Sequence, residues 1–276
     1  MGPPAESAAH DAEFAALTRK IADERGFACG SYKERCLRRR IAVRMRAKGV
    51  HTYRDYMLAI DDDADEYEKL LDALTINVTK LFRNWDVYDA MARLVVPSIL
   101  APKRDRVRVW SAGCASGEEP YSLGMLLHRH AQEHGGVERL ASVEIVATDI
   151  DSRILEVARR ATYEEAAFSD TPAQLREAYF SPGIPAAVVP VVRGLVTFAR
   201  HDLLADAPPR AAFELIVCRN VIIYFDRASQ EMLFDRFVQA LAPGGFLVLG
   251  KVETLLGTAR AALESVDARA RIFRRP

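Results

Sequence analysis

From Ala12 to about Leu74, apolar residues recur three or four apart: Phe14, Leu17 and Ile21, then Leu37, Ile41 and Met45, then Tyr53, Met57 and Ile60. That spacing predicts amphipathic helices. Gly26, Gly30 and Gly49 punctuate it, so residues 1–75 read as a small all-helical domain of short helices, behind ten small, polar residues expected to be loose. From about residue 105 the pattern changes. The runs VRVWSAG, VEIVATD, LVTFARHD, FELIVCRN and GGFLVLG are short and rich in β-branched or aromatic residues, as strands are. Helical stretches (PYSLGMLLHRHAQEH, SRILEVARRA and ASQEMLFDRFVQALA) separate most of them. Alternating strand and helix predicts an α/β domain over 93–276, a doubly wound and mainly parallel sheet with helices on both faces. Residues 76–92, INVTKLFRNWDVYDAMA, link the two domains, and RARIFRR near the end supplies one more strand. The stretch 161–200, with Pro172, Pro182, Pro185 and Pro190, reads as a small β excursion from the sheet, with VVPVV as a short hairpin strand.

Lys plus Arg equals Asp plus Glu, so net charge points to no partner. Locally it does more. Lys33, Arg35, Arg38, Arg39, Arg40, Arg44, Arg46 and Lys48 form a basic stretch, and Asp61, Asp62, Asp63, Asp65, Glu66, Glu68 and Asp72 an acidic one, so the helical domain is dipolar. Cys29, Cys36, Cys114 and Cys218 are scattered without CxxC pairs or nearby His, so neither a metal site nor a disulfide framework is expected. No signal-peptide core and no apolar run of about 20 residues is present, which predicts a soluble, reduced, cytoplasmic protein without membrane insertion.

The chemistry concentrates where strands end. RVWSAGCASGEEPYS combines a glycine turn, which lets a ligand approach the backbone, with two glutamates opening a helix. Neither GxGxxG nor GxxxxGK[ST] is present, and Glu118 and Glu119 stand where a phosphate would have to sit. The near end of a ligand at Gly113 and Glu118 would therefore be cationic; alternatively the glutamates only complement the helix dipole. Farther on, VEIVATDID ends with Asp149, placed to meet a ribose, and Asp151, placed to cap the next helix. Asp202 closes a further strand, and Arg219 with Asn220 forms a polar pair in the apolar run FELIVCRNVIIYF, costly unless satisfied by ligand or backbone. A nucleoside with a cationic end fits these features, and S-adenosylmethionine is such a molecule.

These stretches resemble the CheR-type methyltransferases, which methylate glutamates of bacterial chemoreceptors. The segment Asn77-Val78-Thr79-Lys80-Leu81-Phe82-Arg83 is similar to that family's Asn-x-Thr-x-Phe-Phe-Arg, and Ser111 to Tyr121 to its glycine loop. Ala147 to Asp151, Tyr179-Phe180 and Cys218 to Phe225 follow in the family's order, so the resemblance runs from about residue 12 to the end. It implies a Rossmann-like class I methyltransferase fold, S-adenosylmethionine as cofactor and S-adenosylhomocysteine as product. It further implies cofactor contacts from Asn77, Thr79, Arg83, Glu118, Asp149, Asp202, Leu203, Asn220 and Val221. Leu81 replaces the family's first Phe, and Gly250-Lys251-Val252-Glu253 stands where many relatives have Gly-His-Ser-Glu, leaving Lys251 without a role. The excursion between Phe180 and Phe198 is short beside relatives that grip a receptor's terminal pentapeptide, which implies independence of that tether.

The reaction so implied is protein-glutamate O-methyl transfer for chemotaxis adaptation by a monomer. Arg83 is then the group that guides the acceptor carboxylate, its alternative being a structural pair with Asp86 or another acid. Of three readings for the basic stretch (a solvated helix face, nucleic-acid binding, docking on the receptors' acidic cytoplasmic methylation helices) docking through Arg38, Arg39, Arg40, Arg44 and Arg46 is favoured. Only Tyr32 is near for base stacking, which weighs against nucleic acid. Two rival functions remain open. One is a nucleic-acid methyltransferase, whose Asn-Pro-Pro-Tyr-like position here reads Cys218-Arg219-Asn220-Val221 without proline; the other is a non-catalytic module that binds the cofactor and signals.

Overall fold

The structure is a computed structural model that describes residues 5–75, 77–101, 106–134 and 136–276. Residues 1–4 of the stretch expected to be loose, Ile76 at the head of the expected linker, and residues 102–105 ahead of the first strand lie outside the described residues. The chain divides into two units, Met1–Ile76 with Tyr224–Arg227, and Asn77–Ile223 with Ala228–Pro276.

The first unit holds α1 (Ala5–Arg25), α2 (Glu34–Lys48), α3 (Tyr53–Asp62) and α4 (Ala64–Thr75). Helix α1 already runs through residues 5–10, contrary to the expectation of a loose start, because that segment is rich in alanine, the strongest helix former. The inward faces of α1 and α2 are the predicted ones, Phe14, Leu17, Ile21 and Leu37, Ile41, Met45, all buried. Helix α2 stops at Gly49, whose positive φ of 71° turns its N–H back to the Arg46 carbonyl at 3.1 Å. Thr52 caps α3 by accepting from the Asp55 N–H at 3.0 Å. In α3 the fully buried residue between Tyr53 and Ile60 is Tyr56 rather than Met57. Its hydroxyl donates to the buried carboxylate of Glu66 at 2.8 Å, and Arg44 donates to both oxygens of the same carboxylate at 3.0 and 2.6 Å.

The second unit opens with α5 (Trp85–Leu94) and α6 (Val96–Ile99) and then alternates strand and helix. Its strands are β1 (Val107–Ala112), β2 (Val143–Asp149), β3 (Thr162–Tyr163), β4 (Ala186–Ala187), β5 (Val196–Arg200), β6 (Phe213–Cys218), β7 (Leu241–Leu249), β8 (Glu264–Asp267) and β9 (Ile272–Arg274). The helices between are α7 (Glu118–Glu133), α8 (Ser152–Arg160), α9 (Ala173–Tyr179), α10 (Pro190–Arg193), α11 (Arg227–Ala240) and α12 (Ala259–Ala262). Seven strands form one sheet in the order β5-β2-β1-β6-β7-β9-β8, parallel from β5 to β7, with β9 and β8 antiparallel. This is a doubly wound α/β sheet. Strand β6 is buried along its whole length, the signature of a parallel strand covered on both faces. Trp110 fills the sheet's middle, stacked on Phe213 with its indole N–H donating to Thr148 Oγ1 at 2.9 Å.

The excursion within 161–200 is built from β3 and β4, an antiparallel pair, with α9 and α10. VVPVV is not a strand: Val188 makes one bridge to Phe180, and Pro190 starts a helical turn, where its missing N–H and fixed φ cost nothing. Strand β8, partly exposed and without alternating apolar residues, went unread in the sequence. Among the described residues no helix is long and apolar enough to cross a membrane.

Candidate functional site

Chain order reverses between β1 and β6: from β1 the sheet grows through β2 to β5, and on the other side from β6 to β7. In open α/β sheets that reversal leaves a crevice beyond the strands' carboxyl ends. Gly113 follows β1 there, with φ of 82°, and a Cβ on it would lie 2.5 Å from Val221 Cγ2, just after β6. The N–H groups of Gly113 and Cys114 donate to the Thr148 carbonyl at 2.8 and 2.9 Å, lashing the turn to β2. Asp149 completes the lashing: its Oδ2 accepts from the Ala115 N–H at 2.9 Å and its Oδ1 from the Asp151 N–H at 3.1 Å. Asp151 Oδ1 caps α8 through the N–H groups of Arg153 and Ile154, as its position predicts, while its Oδ2 accepts from Asn77 Nδ2 at 2.9 Å.

Glu118 and Glu119 form the first turn of α7, so they do complement its dipole, and both are buried as well. Glu118 is bound by the Ser116 hydroxyl, and Glu119 by the Ser111 hydroxyl at 2.9 Å with Arg219 at 3.8 Å. Burial raises the carboxyl pKa of Glu118 and of Asp149 above the ordinary range, and pushes Glu119 up to about 7 against the opposing pull of Arg219. Among the described residues neither Glu118 nor Asp149 has a Lys or Arg partner. Arg219 Nη2 donates onward to the Arg83 carbonyl at 2.8 Å and to Asn84 Oδ1 at 3.1 Å, while its buried Nε finds no acceptor among the described residues.

The amino-terminal segment is anchored by its backbone. The Leu81 N–H donates to the Ala167 carbonyl and the Phe82 N–H to Ser122 Oγ, and both side chains are fully buried. Leu81 is therefore a core residue. Thr79 is half-buried, and among the described residues the Arg83 guanidinium hydrogen-bonds only to the Val78 carbonyl, at 2.9 Å. The alternative, a structural pair of Arg83 with Asp86 or another acid, is not formed among the described residues; Asp86 pairs instead with Lys251 at 2.7 Å. That ion pair also gives Lys251 its place. Phe82, Asn84, Ala115 and Asn220 all have positive φ, a clustering of strained backbone typical of functional sites.

After β5, the His201 N–H donates to the Asp149 carbonyl at 2.9 Å, which places Asp202 and Leu203 beside Asp149. Asp202 spends Oδ1 on its own turn, accepting from the N–H groups of Leu204 and Ala205, and Leu203 is buried. The structure thus gathers Asn77, Gly113, Asp149, Asp202, Leu203, Asn220 and Val221 at one end of the sheet, and ties Arg83 to Glu119 through Arg219. Glu253, named in the sequence only as the end of Gly250-Lys251-Val252-Glu253, is the residue to which sequence reasoning gave no role. Its carboxylate accepts from the N–H groups of Gly250, Asn220, Val221, Ile222 and Ile223. A lone acid three residues after a glycine at a strand end was the available signal.

The basic stretch does not present one arginine face. Arg44 is drawn inward by Glu66, Arg40 donates to the Ala73 carbonyl at 2.7 Å, and Arg38 stacks on Phe14 while pairing with Glu34 and Asp11. Arg35, Arg39 and Arg46 are exposed, lie at helical spacing with the half-exposed Val43 between, and make no ion pair among the described residues. Among the described residues no group of three His, Cys, Asp or Glu side chains is placed to hold a metal ion.

Comparison with known proteins matches residues 77–272 to the CheR methyltransferase SAM binding domain and residues 12–75 to the CheR methyltransferase all-alpha domain. The chain is 33% identical over 256 residues to a chemotaxis protein methyltransferase of Listeria monocytogenes, covering 92% of this chain and 95% of that one. Chemotaxis protein methyltransferase 1 of Pseudomonas aeruginosa is 32% identical over 236 residues, 83% of this chain and 85% of its own. A chemotaxis protein methyltransferase of Borreliella burgdorferi is 29% identical over 254 residues, 89% of each.

Proposed function

The chain belongs to the CheR methyltransferase family, with S-adenosylmethionine as cofactor, and on that premise we propose that it methylates glutamate carboxylates on the cytoplasmic methylation helices of chemoreceptors. The observation that carries the acceptor class is Arg83. Its guanidinium has no carboxylate partner among the described residues, and it lies near enough to Glu119 to favour that group's charged form. A permanently charged, planar fork of donors is suited to receiving a carboxylate in two-point contact.

The residues at the sheet's end fit the cofactor. Among the described residues Glu118 and Asp149 are buried carboxylates without a cation, and the cationic end and ribose hydroxyls of such a ligand relieve the cost of their burial. Among the described residues the buried Asn220 Oδ1 has no hydrogen-bond partner, an orphan acceptor that a ligand's donor could satisfy. Asn77, Thr79, Arg83, Gly113, Glu118, Asp149, Asp202, Leu203, Asn220 and Val221 are assigned to hold it. When bound, S-adenosylmethionine supplies an electrophilic methyl: the acceptor oxygen gains the O–CH3 bond as the S–CH3 bond breaks, and S-adenosylhomocysteine leaves.

No side chain has to remove a proton, because a glutamate of pKa about 4.3 is already ionised near neutral pH. The chain's contribution is alignment and exclusion of water, and positioning of this kind is worth up to roughly 7–11 kcal/mol of barrier. Arg83 orients the acceptor. Arg219 holds the Arg83 backbone and neutralises Glu119, keeping a second carboxylate from repelling the substrate. Docking is assigned to the exposed ridge of α2, with Arg39 and Arg46 at its centre. Independence of a receptor's terminal pentapeptide is proposed from the excursion, whose strands β3 and β4 are two residues each.

The test is methylation of receptor-containing membranes with methyl-labelled cofactor, followed by mild alkali. Label on a receptor-sized band that leaves as volatile methanol is the expected result, and it persists when the receptor's last five residues are removed. Alkali-stable label overturns the carboxylate reading in favour of nitrogen or nucleic acid. Cofactor binding without label on any receptor points instead to a non-catalytic signalling module.

A further inference from the structure

Glu253 is not itself assigned to the cofactor or the acceptor, yet it binds the backbone of Asn220 and Val221 and is among the most heavily hydrogen-bonded side chains of the catalytic unit. It is 3% exposed. Oε2 accepts from Gly250 N–H at 2.6 Å and Asn220 N–H at 3.1 Å, and Oε1 from Val221 at 3.0 Å, Ile222 at 2.9 Å and Ile223 at 3.4 Å. Among the described residues it has no ion pair. Its entire electrostatic compensation therefore comes from backbone dipoles, an arrangement that normally cradles a bound anion.

Four of those donors are consecutive. They turn toward one point only because Asn220 adopts a left-handed φ of 62°, a conformation Asn tolerates better than most residues, and because a short helical turn starts at Ile222. The N–H groups at a helix start are usually capped by a side chain just before it; here the cap comes from the loop after β7. Gly250 belongs to the same device, since a Cβ there would meet Glu253 Oε2 at 2.7 Å and the Asn220 nitrogen at 2.9 Å. The turn so fastened carries Val221 against Gly113 and holds the orphan Asn220 Oδ1 at the end of the sheet.

We propose that Glu253 is a positioning residue for cofactor binding: its buried carboxylate preforms the Asn220–Ile223 turn that closes the site over Gly113. It rests on the assignment of Asn220 and Val221 to the cofactor wall. A carboxylate is acceptor-only, so the isosteric amide in Glu253→Gln puts two N–H groups where protein donors already point.

The experiment is calorimetric binding of S-adenosylhomocysteine to wild type, Glu253→Gln and Asn220→Ala full-length chains, with hydrogen exchange read on the amides of 220–223. Glu253→Gln is expected to weaken binding tenfold or more and to speed exchange in that turn while the rest of the sheet stays protected. In turnover the loss falls on KM for the cofactor, with kcat at saturating cofactor within about threefold. Weak binding by Asn220→Ala alongside wild-type binding by Glu253→Gln overturns the proposal. Wild-type binding by both variants shows instead that the cofactor-wall assignment is wrong, and the proposal falls with it, whatever the acceptor proves to be. Wild type alone also decides, should Glu253→Gln not fold: amides 220–223 slow without ligand support a preformed turn, whereas protection gained only on binding overturns it.

Discussion

Val221 stands over Gly113 so closely that a single added carbon would lie 2.5 Å from its Cγ2, and this contact joins the ends of the two strands at which the sheet reverses. Gly113→Ala must also place an L-residue at a φ of 82°. Strain and overpacking together predict a loss of about 2–4 kcal/mol in urea unfolding, and weaker binding of S-adenosylhomocysteine by calorimetry. Unchanged stability and affinity would show that the turn is free to reshape.

Asp149→Ala removes the acceptor for the Ala115 and Asp151 N–H groups and the charge assigned to the ribose end of the cofactor. Binding of S-adenosylhomocysteine is expected to fall tenfold or more, with about 1–3 kcal/mol of stability lost from the unsatisfied donors. Asp149→Asn should lie between. If the alanine variant binds like wild type, Asp149 serves the loop alone.

The free protein should lose stability as pH rises from about 4.5 to 7 because Glu119, raised to about 7 by burial, keeps its proton in the fold after the unfolded chain has given it up. The expected contribution is a slope of about 1.4 kcal/mol per pH unit across that window, level above it. Burial shifts Glu118, Asp149 and Glu253 in the same direction, so the comparison of wild type with Glu119→Gln isolates this one component. Parallel stability profiles for the two chains would remove Glu119 from this role.

In the helical unit, Arg44 compensates the nearly inaccessible Glu66. Burial alone would raise the Glu66 pKa, but hydrogen bonds from Arg44 and Tyr56 overcome it and the net shift is downward. The stability from this group is present above the ordinary carboxylate range and is lost as pH falls through the lowered pKa. Arg44→Ala should cost about 2–4 kcal/mol in thermal unfolding at neutral pH, somewhat under the fully buried range since Arg44 keeps contact with water. A change of a few tenths would mean that water replaces the arginine.

Arg39→Glu with Arg46→Glu should leave S-adenosylhomocysteine binding unchanged, raise KM for receptor membranes about tenfold or more, and make the remaining activity less sensitive to salt. Equal losses of cofactor binding and receptor methylation would sink the docking assignment. Arg44→Glu is not an equivalent probe, since it would oppose two buried carboxylate oxygens and unfold the unit.

Much of the fold was legible because burial is periodic. Helices α1 and α2 and the strands β1, β2, β6 and β7 announce themselves by spacing and by β-branched composition, and the glycine turn with paired glutamates, taken together with the acids at the ends of later strands, pointed to a nucleoside with a cationic end. Less legible was whatever depends on a partner distant in the chain. Met57 and Tyr56 are both apolar enough to face a core, and the carboxylate of Glu66 selects Tyr56. The arginines of α2 look alike in sequence, yet Arg44 and Arg40 turn inward because an acid and a carbonyl wait there, leaving Arg35, Arg39 and Arg46 outside.

By itself, then, the amino-acid sequence determined the alternation of elements, the class of the fold, and which residue types stand at the strand ends, since these follow from local spacing and backbone preference. Tertiary structure decided who meets whom: Lys251 with Asp86 rather than Arg83, Arg219 with the Arg83 carbonyl, and Glu253 with four successive N–H groups from a turn that precedes it by a strand and a helix. A buried charge or an open backbone donor must find its complement wherever packing brings one within hydrogen-bond reach, and that distance is not written along the chain.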